Sequence, residues 1–336
     1  MAKALITDAA GLVLSADERA FFRDADPWGF IIFKRNVETP DQLRALTYSM
    51  RESVGRDAPI LVDQEGGRVQ RLGPPHWPKY PQGAAYGALY QRDAQAGLRA
   101  AWLGARLIAH DLSAVGIDVD CLPIADVPVS EADPVIGNRA YGMTSGQVAA
   151  IGAAVAAGLL AGGVLPVLKH IPGHGRATAD SHHALPVVST DVATLQSTDF
   201  AAFRPLAKLP LGMTAHVVFT AIDPVAPATT SGTMVRDVIR DHIGFDGVLM
   251  SDDISMNALA GTLAERARAT LAAGCDIVLH CNGAFDERRA VADATPPLAG
   301  DAKRRADAAL GRRRAPAPFD VTSAREEFAG MAAGVA

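Results

Sequence analysis

Short apolar runs recur along this chain, and each stops at polar residues or a glycine turn. They fall at 4–6, 29–33, 59–62, 117–122, 164–168, 211–218, 247–250 and 275–279. Runs of this length, apolar at successive positions, read as strands buried on both faces. Alanine-rich stretches with helical spacing separate most of them. Eight strands alternating with helices predict an α/β fold, a closed (β/α)8 barrel of parallel strands. The expected organisation is a single catalytic barrel over 1–300, followed by a helical tail over 301–336 that packs on the barrel or trails it. An open doubly wound sheet could use the same pieces, but no glycine-rich phosphate fingerprint follows the first strand.

Local signals place several helices. Thr39, Pro40 and Gln42 combine a cap, a proline at the first helical position and the return partner of a capping box. Thr144 with Gln147 predicts a second capping box, and Gly162 with Gly163 the stop of that helix. Positions 148–168 carry no charge and match the length of a membrane span. The stretch is mostly Ala and Gly, however, and Gly162, Gly163 and Pro166 interrupt it, so it reads as a helix followed by a strand. Ser231 or Thr230 is expected to cap a helix containing Met234, Val235, Val238 and Ile239, with Gly244 ending it.

Composition narrows the partners. With 336 residues, 49% of them hydrophobic, the chain is long enough for a large core. Its 32 basic and 37 acidic residues give a net charge of −5. No electrostatic argument then favours nucleic acid or an anionic membrane, and a small-molecule partner is expected. The basic clusters at 303–305 and 312–314 read as the solvated face of a helical tail. Cys121, Cys275 and Cys281 are odd in number and lie in or beside apolar runs, which suggests packed, reduced thiols. Asp8 interrupts what would be the apolar region of a secretory peptide, and no small-residue cleavage site follows, so a cytoplasmic location is expected. A monomer is the default expectation.

A barrel of this kind places chemistry at the carboxyl ends of its strands. Polar residues do cluster there. Arg35 and Asn36 follow the second run, Asp63, Glu65, Arg68 and Arg71 the third, and Asp126 the fourth. Lys169 and His170 follow the fifth, His216 lies within the sixth, and Asp252 and Asp253 end the seventh. The loop after Lys169 and His170 turns at Pro172, Gly173 and Gly175 and carries His174, Arg176, Asp180, His182 and His183. Lys169 and His170 are adjacent, so a shared direction needs the strand to be ending there. Asp252 and Asp253 are adjacent too, and in a regular strand only one faces the mouth. The spacing does not choose between them.

Five motifs in order, LVDQEGGRVQRL (61–72), VIGNRAYG (135–142), KHIPGHG (169–175), ADSHHALP (179–186) and GVLMSDDISM (247–256), resemble glycoside hydrolase family 3. The most similar branch is that of bacterial cytoplasmic β-N-acetylglucosaminidases of peptidoglycan recycling. Ile171 departs from the aromatic residue common in the family, and the tail after about 298 matches no familiar motif. The resemblance implies a retaining mechanism with Asp252 as nucleophile and His182, partnered by Asp180, as the acid, in place of a second carboxylic acid. It places Asp63, Arg71, Arg139, Lys169 and His170 around the sugar, requires no metal or cofactor, and implies a muropeptide substrate. His183 is then a bystander, and His174 and Arg176 order the loop.

Other readings share these residues. His170, His174, His182 and His183, with Asp180 and Asp252, could ligate zinc or manganese, although their spacing fits no helical metalloprotease pattern. A glycoside phosphorylase could use the same site, since a histidine acid does not repel phosphate. A catalytically inactive sugar-binding protein on an enzyme fold is the non-enzymatic alternative.

Overall fold

A computed structural model describes residues 1–332. Eight parallel strands close a barrel in sequence order: β1 (Lys3–Asp8), β2 (Pro27–Ile32), β3 (Ile60–Val62), β4 (Val119–Asp120), β5 (Leu165–Ile171), β6 (Leu211–Thr214), β7 (Val248–Asp253) and β8 (Ile277–Leu279). The last pairs with the first through Leu5 and Ile6 against Val278 and Leu279. An open sheet would leave two edges, so closure removes the doubly wound alternative.

The strands are mostly apolar on both faces because neither face meets water, and their polar residues gather mainly towards the carboxyl ends. Ala4, Ile6, Ile31, Leu61, Leu165, Val167, Val248, Met250, Ile277 and Leu279 form the inner cluster. Their neighbours Leu5, Phe30, Ile32, Ile60, Val62, Leu168, Leu249 and Val278 belong to the outer cluster, under the helices. This is period-two alternation with both faces filled.

Most strands differ from their runs by a few residues at the ends, and three departures bear on the site. β4 keeps only two residues. The sixth run divides: Leu211–Thr214 stays in the barrel, while Val218–Phe219 leaves it to pair in parallel with Val187–Val188. His216 therefore sits between two strands and not within one. β5 continues through Ile171, so it does not end at Lys169 and His170 as expected. Its pairing with β6 instead shifts register between Leu168 and Ile171. Such an irregularity breaks strict alternation and re-aims side chains.

The charge-free stretch forms the helix Ser145–Ala161 and then β5. Among the described residues no helix is long and apolar enough to cross a membrane. Its capping box is only half made. Thr144 accepts from the Gln147 amide at 3.4 Å, but the Gln147 side chain donates to the carbonyls of Tyr141 and Gly87, 2.7 and 3.2 Å away. Thr39 and Pro40 open the helix Pro40–Val54 as expected, while Gln42 reaches one residue further back, to the Glu38 amide at 3.0 Å. Ser231, not Thr230, caps the next helix through the Met234 amide at 3.1 Å, and Gly244 follows it with φ +79°.

The basic clusters are not simply solvated. Ala306 and Ala309, on the helix Gly300–Leu310, pack into the inner cluster at the amino end of the barrel. Arg305 meets Asp246 at 2.9 Å and Asp276 at 3.0 Å, and Arg313 meets Asp118 at 2.6 Å. Each of these acids lies just before a barrel strand, so the arginines hold the tail against the face opposite the site. The helix Val321–Ala332 then packs beside Ala94–Ser113.

Candidate active site

At the carboxyl end of the barrel, β3 runs into a short hairpin, Gln64–Gly66 against Val69–Gln70. Asp63 and Glu65, two residues apart, turn towards the barrel axis, where Lys169 bridges them. Its Nζ lies 2.8 Å from Asp63 Oδ1 and 2.7 Å from Glu65 Oε1. Arg71 closes on Asp63 at 2.9 Å, and Arg139 holds both oxygens of Glu65 at 2.8 Å. Burial alone would raise both carboxyls. Lys169, with Arg71 on one and Arg139 on the other, outweighs it, so Asp63 lies well below the ordinary range and Glu65 near about 2. Three cations on two carboxylates leave a fixed, charged array suited to directional bonds with hydroxyl groups. Removing Lys169 would leave Asp63 with Arg71 alone and Glu65 with Arg139 alone, and the loss should not exceed the roughly 3–5 kcal/mol of a broken buried pair.

This array carries a pH dependence. Glu65 is held below its ordinary value of 4.5, so its share of stability is present above that pH and is lost as pH falls towards about 2. Glu65→Gln is therefore expected to lower the urea midpoint at pH 7. Its deficit relative to the parent should shrink between about pH 4.5 and 2. A constant deficit across that range would show that Glu65 contributes by packing alone.

Beside Lys169, the His170 Nδ1 lies 2.6 Å from the buried Asp126 Oδ2. The other oxygen of Asp126 accepts the His174 amide at 2.6 Å. Burial would raise Asp126, but His170 and the His174 amide outweigh it and hold it ionised. Asp126 thereby fixes the proton on Nδ1 of His170 and leaves Nε2 facing the cavity. The glycines of the following turn have steric reasons. A Cβ on Gly175 would stand 2.1 Å from the Val127 carbonyl oxygen, and Gly173 has φ +144°. His174 is pushed down to about 4, first by burial and then by His170, so its ring is neutral near pH 7. Arg176 anchors the loop to Asp199 at 2.6 Å and Thr198 at 3.0 Å.

The two carboxylates ending β7 have different surroundings. Asp253 is buried and accepts from the Ser255 amide and hydroxyl at 3.0 and 2.6 Å, the Cys281 amide at 3.2 Å and the Asn282 side chain at 3.3 Å. Burial would raise it, yet the His280 ring 3.8 Å away, with the Cys281 and Ser255 donors, brings it to about 2. Asp252 is half-buried, and among the described residues its carboxylate accepts one hydrogen bond, from the Asp253 amide at 2.8 Å. A register shift against β8 lies between Met250 and Asp253, and both residues line the cavity. His216 is wholly buried behind them. Its Nε2 donates to the Asp253 carbonyl at 3.0 Å, while Nδ1 accepts from the Thr229 hydroxyl at 2.7 Å.

Across the cavity the loop presents Asp180 and His182. Nδ1 of His182 is 2.7 Å from Asp180 Oδ1, which also accepts the His182 amide at 2.9 Å. Partial burial would raise Asp180, but these bonds hold it below the usual range. The His182 ring is 58% exposed, so Nε2 remains open to a ligand. Asn257 donates to the His182 carbonyl at 3.1 Å and ties the loop to the segment after β7. His183 is 83% exposed, with Asp180 4.0 Å away.

All eight residues singled out in the sequence, Asp63, Arg71, Arg139, Lys169, His170, Asp180, His182 and Asp252, line one cavity of about 450 Å³. Glu65, Asp126 and Asp253 stood on the expected rim, but the spacing gave them no partners. Asn282 was not anticipated, since nothing marks an asparagine after β8. Among the described residues no three of His, Cys, Asp and Glu come together as metal donors.

Known proteins share this fold and much of this sequence. Residues 12–303 match the glycosyl hydrolase family 3 N terminal domain. The chain belongs to glycoside hydrolase family 3. A β-hexosaminidase of Chromobacterium violaceum is 38% identical over 93% of this chain and 87% of its own length. One of Alkalilimnicola ehrlichii is 40% identical over 81% and 78%. Among solved structures, NagZ of Neisseria gonorrhoeae in complex with N-trifluoroacetyl-D-glucosamine superposes with a TM-score of 0.87 at 32% identity, covering 98% of both chains.

Proposed function

We propose that this β-hexosaminidase is an exo-acting, retaining β-N-acetylglucosaminidase that removes terminal N-acetylglucosamine from cytoplasmic cell-wall muropeptides. The observation that carries the reading is the contrast within the cavity. Among the described residues Asp252 has no side-chain donor, while a carboxylate-bound histidine faces the same space with one nitrogen open. The Asp252 carboxylate attacks the anomeric carbon as the glycosidic C–O bond breaks, and His182 passes its Nε2 proton to the departing oxygen. In the second half, His182 takes a proton from water, whose oxygen displaces Asp252 and releases the sugar with its configuration retained. Asp180 fixes the histidine tautomer and stabilises its cation. Asp63, Arg71, Arg139, Lys169 and His170 are assigned to the sugar hydroxyls. The N-acetylglucosamine analogue held by the gonococcal relative supports the sugar, and the muropeptide follows from the family resemblance.

Turnover of an aryl β-N-acetylglucosaminide should exceed that of the matching β-glucoside, and a chelator should leave the rate unchanged. Comparable rates on the two glycosides would overturn the N-acetyl specificity. Loss of activity restored by zinc would return the metal-dependent reading, and a sugar 1-phosphate formed in phosphate buffer would assign phosphorolysis.

A further inference from the structure

The hairpin carrying Glu65 walls off a second space. Beyond it a groove of about 780 Å³ runs between the loop 78–82 and the helices Ala94–Ser113 and Val321–Ala332. Arg68, at the hairpin turn, lines both the groove and the catalytic cavity. The floor is apolar, from Pro78, Pro81, Leu107 and Phe328. The groove lining includes three cations and no carboxylate, in a chain of net charge −5.

Those cations are not equivalent. Arg325 is answered by Asp111 at 2.7 Å, the same carboxylate that accepts from Tyr80 at 2.7 Å, so it belongs to the wall. Arg68 and Lys79 are exposed, and among the described residues neither meets an acid. Arg68 donates only to the carbonyls of Pro134 and Val135, which orient its guanidinium without cancelling its charge. A groove with an apolar floor and two uncompensated cations on its rim complements an extended chain with carboxylates at intervals.

We propose that this groove is a binding site for an acidic peptide carried by the leaving group, which crosses the hairpin at Arg68 and lies along Lys79. The inference rests on the reading of the cavity as a muropeptide glycosidase and adds to it a site for the peptide. Arg68 meets the carboxylate nearest the sugar, Lys79 one further out, and the apolar floor takes the intervening aliphatic side chains. The catalytic residues need no contact with the peptide, so the groove acts on kcat/KM and leaves the chemistry as it is.

The test compares an N-acetylglucosaminyl-1,6-anhydro-N-acetylmuramic acid disaccharide with the same disaccharide bearing L-Ala-γ-D-Glu-meso-diaminopimelate. A third substrate has the stem carboxylates amidated. Lys79→Glu is expected to lower kcat/KM on the acidic-stem substrate by about three- to tenfold, the scale of an exposed attraction turned into repulsion, without affecting the other two. The parent's preference for the acidic stem should fade as salt is raised. Ala329→Trp, at an exposed position on the groove wall, should reduce turnover of both stem-bearing substrates and spare the disaccharide. Equal kcat/KM for all three substrates in both variants, with the disaccharide cleaved normally, would overturn the groove assignment alone. A shift to a dimer in Ala329→Trp without any change in rate would assign the groove to a second copy of the chain and equally overturn it. No cleavage of the disaccharide by the parent would instead remove the functional reading beneath it.

Discussion

Asp252→Asn is expected to reduce turnover of an aryl β-N-acetylglucosaminide on the order of 10³–10⁵-fold while the protein remains folded. The amide is nearly isosteric, so the bond from the Asp253 amide to the remaining carbonyl oxygen can persist. What disappears is the negative oxygen that attacks carbon. Neighbouring groups cannot replace it: Asp253 is engaged by Ser255, Cys281 and Asn282, and Asp63 and Glu65 are bound by Lys169 and the arginines. Asp253→Asn should behave differently. An amide nitrogen would face donors that now point at a carboxylate, so the principal loss should appear as a lower unfolding midpoint, with activity falling through misplacement of Asp252. If Asp253→Asn were the more damaging for a fully folded enzyme, the two assignments would have to be exchanged.

His182→Ala should discriminate between leaving groups. A general acid matters where the departing oxygen needs a proton, so cleavage of a disaccharide should fall by roughly 10²–10⁴-fold and that of a nitrophenyl glycoside by much less. Asp180→Ala should show the same pattern in milder form, because the imidazole remains but loses the carboxylate that fixes its tautomer. The double variant should be little worse than His182→Ala, as expected of two residues acting as one unit. Equal losses on both leaving groups, multiplying in the double variant, would make His182 a binding residue and return the search for the acid to Glu65, Asp126 and Asp253. Glu65 and Asp126 are poor substitutes, since each is held ionised by buried cationic or amide partners.

The barrel was legible because parallel strands under helices are apolar on both faces, and each of the eight runs overlaps one barrel strand. The ends of those runs were less so. β4 keeps two paired residues of a six-residue run, and β5 extends past its polar pair, because pairing depends on neighbours that a single run cannot reveal. The rim was legible from topology alone, which brought Asp63, Asp126, Lys169, His170 and Asp252 to one end of the barrel. The bridging of Asp63 and Glu65 by Lys169 was not, since it joins residues more than 100 positions apart through strand register. The choice between Asp252 and Asp253 was open in the spacing, and in the structure their different hydrogen-bond partners separate them. Asn282 carried no signal at all, and the arginines of the tail read as surface until acids at the amino ends of the strands met them.

The central claim is that Asp252 becomes covalently attached to the sugar. A 5-fluoro-N-acetylglucosaminyl fluoride slows breakdown of a glycosyl-enzyme more than its formation, so brief incubation followed by peptide mass spectrometry reads the attachment directly. The account predicts one added fluorosugar per chain, on the peptide containing Asp252, absent from Asp252→Asn and retained in His182→Ala, because fluoride departs without a proton donor. A label on any other carboxylate, or rapid turnover to inverted product with no label, would contradict it.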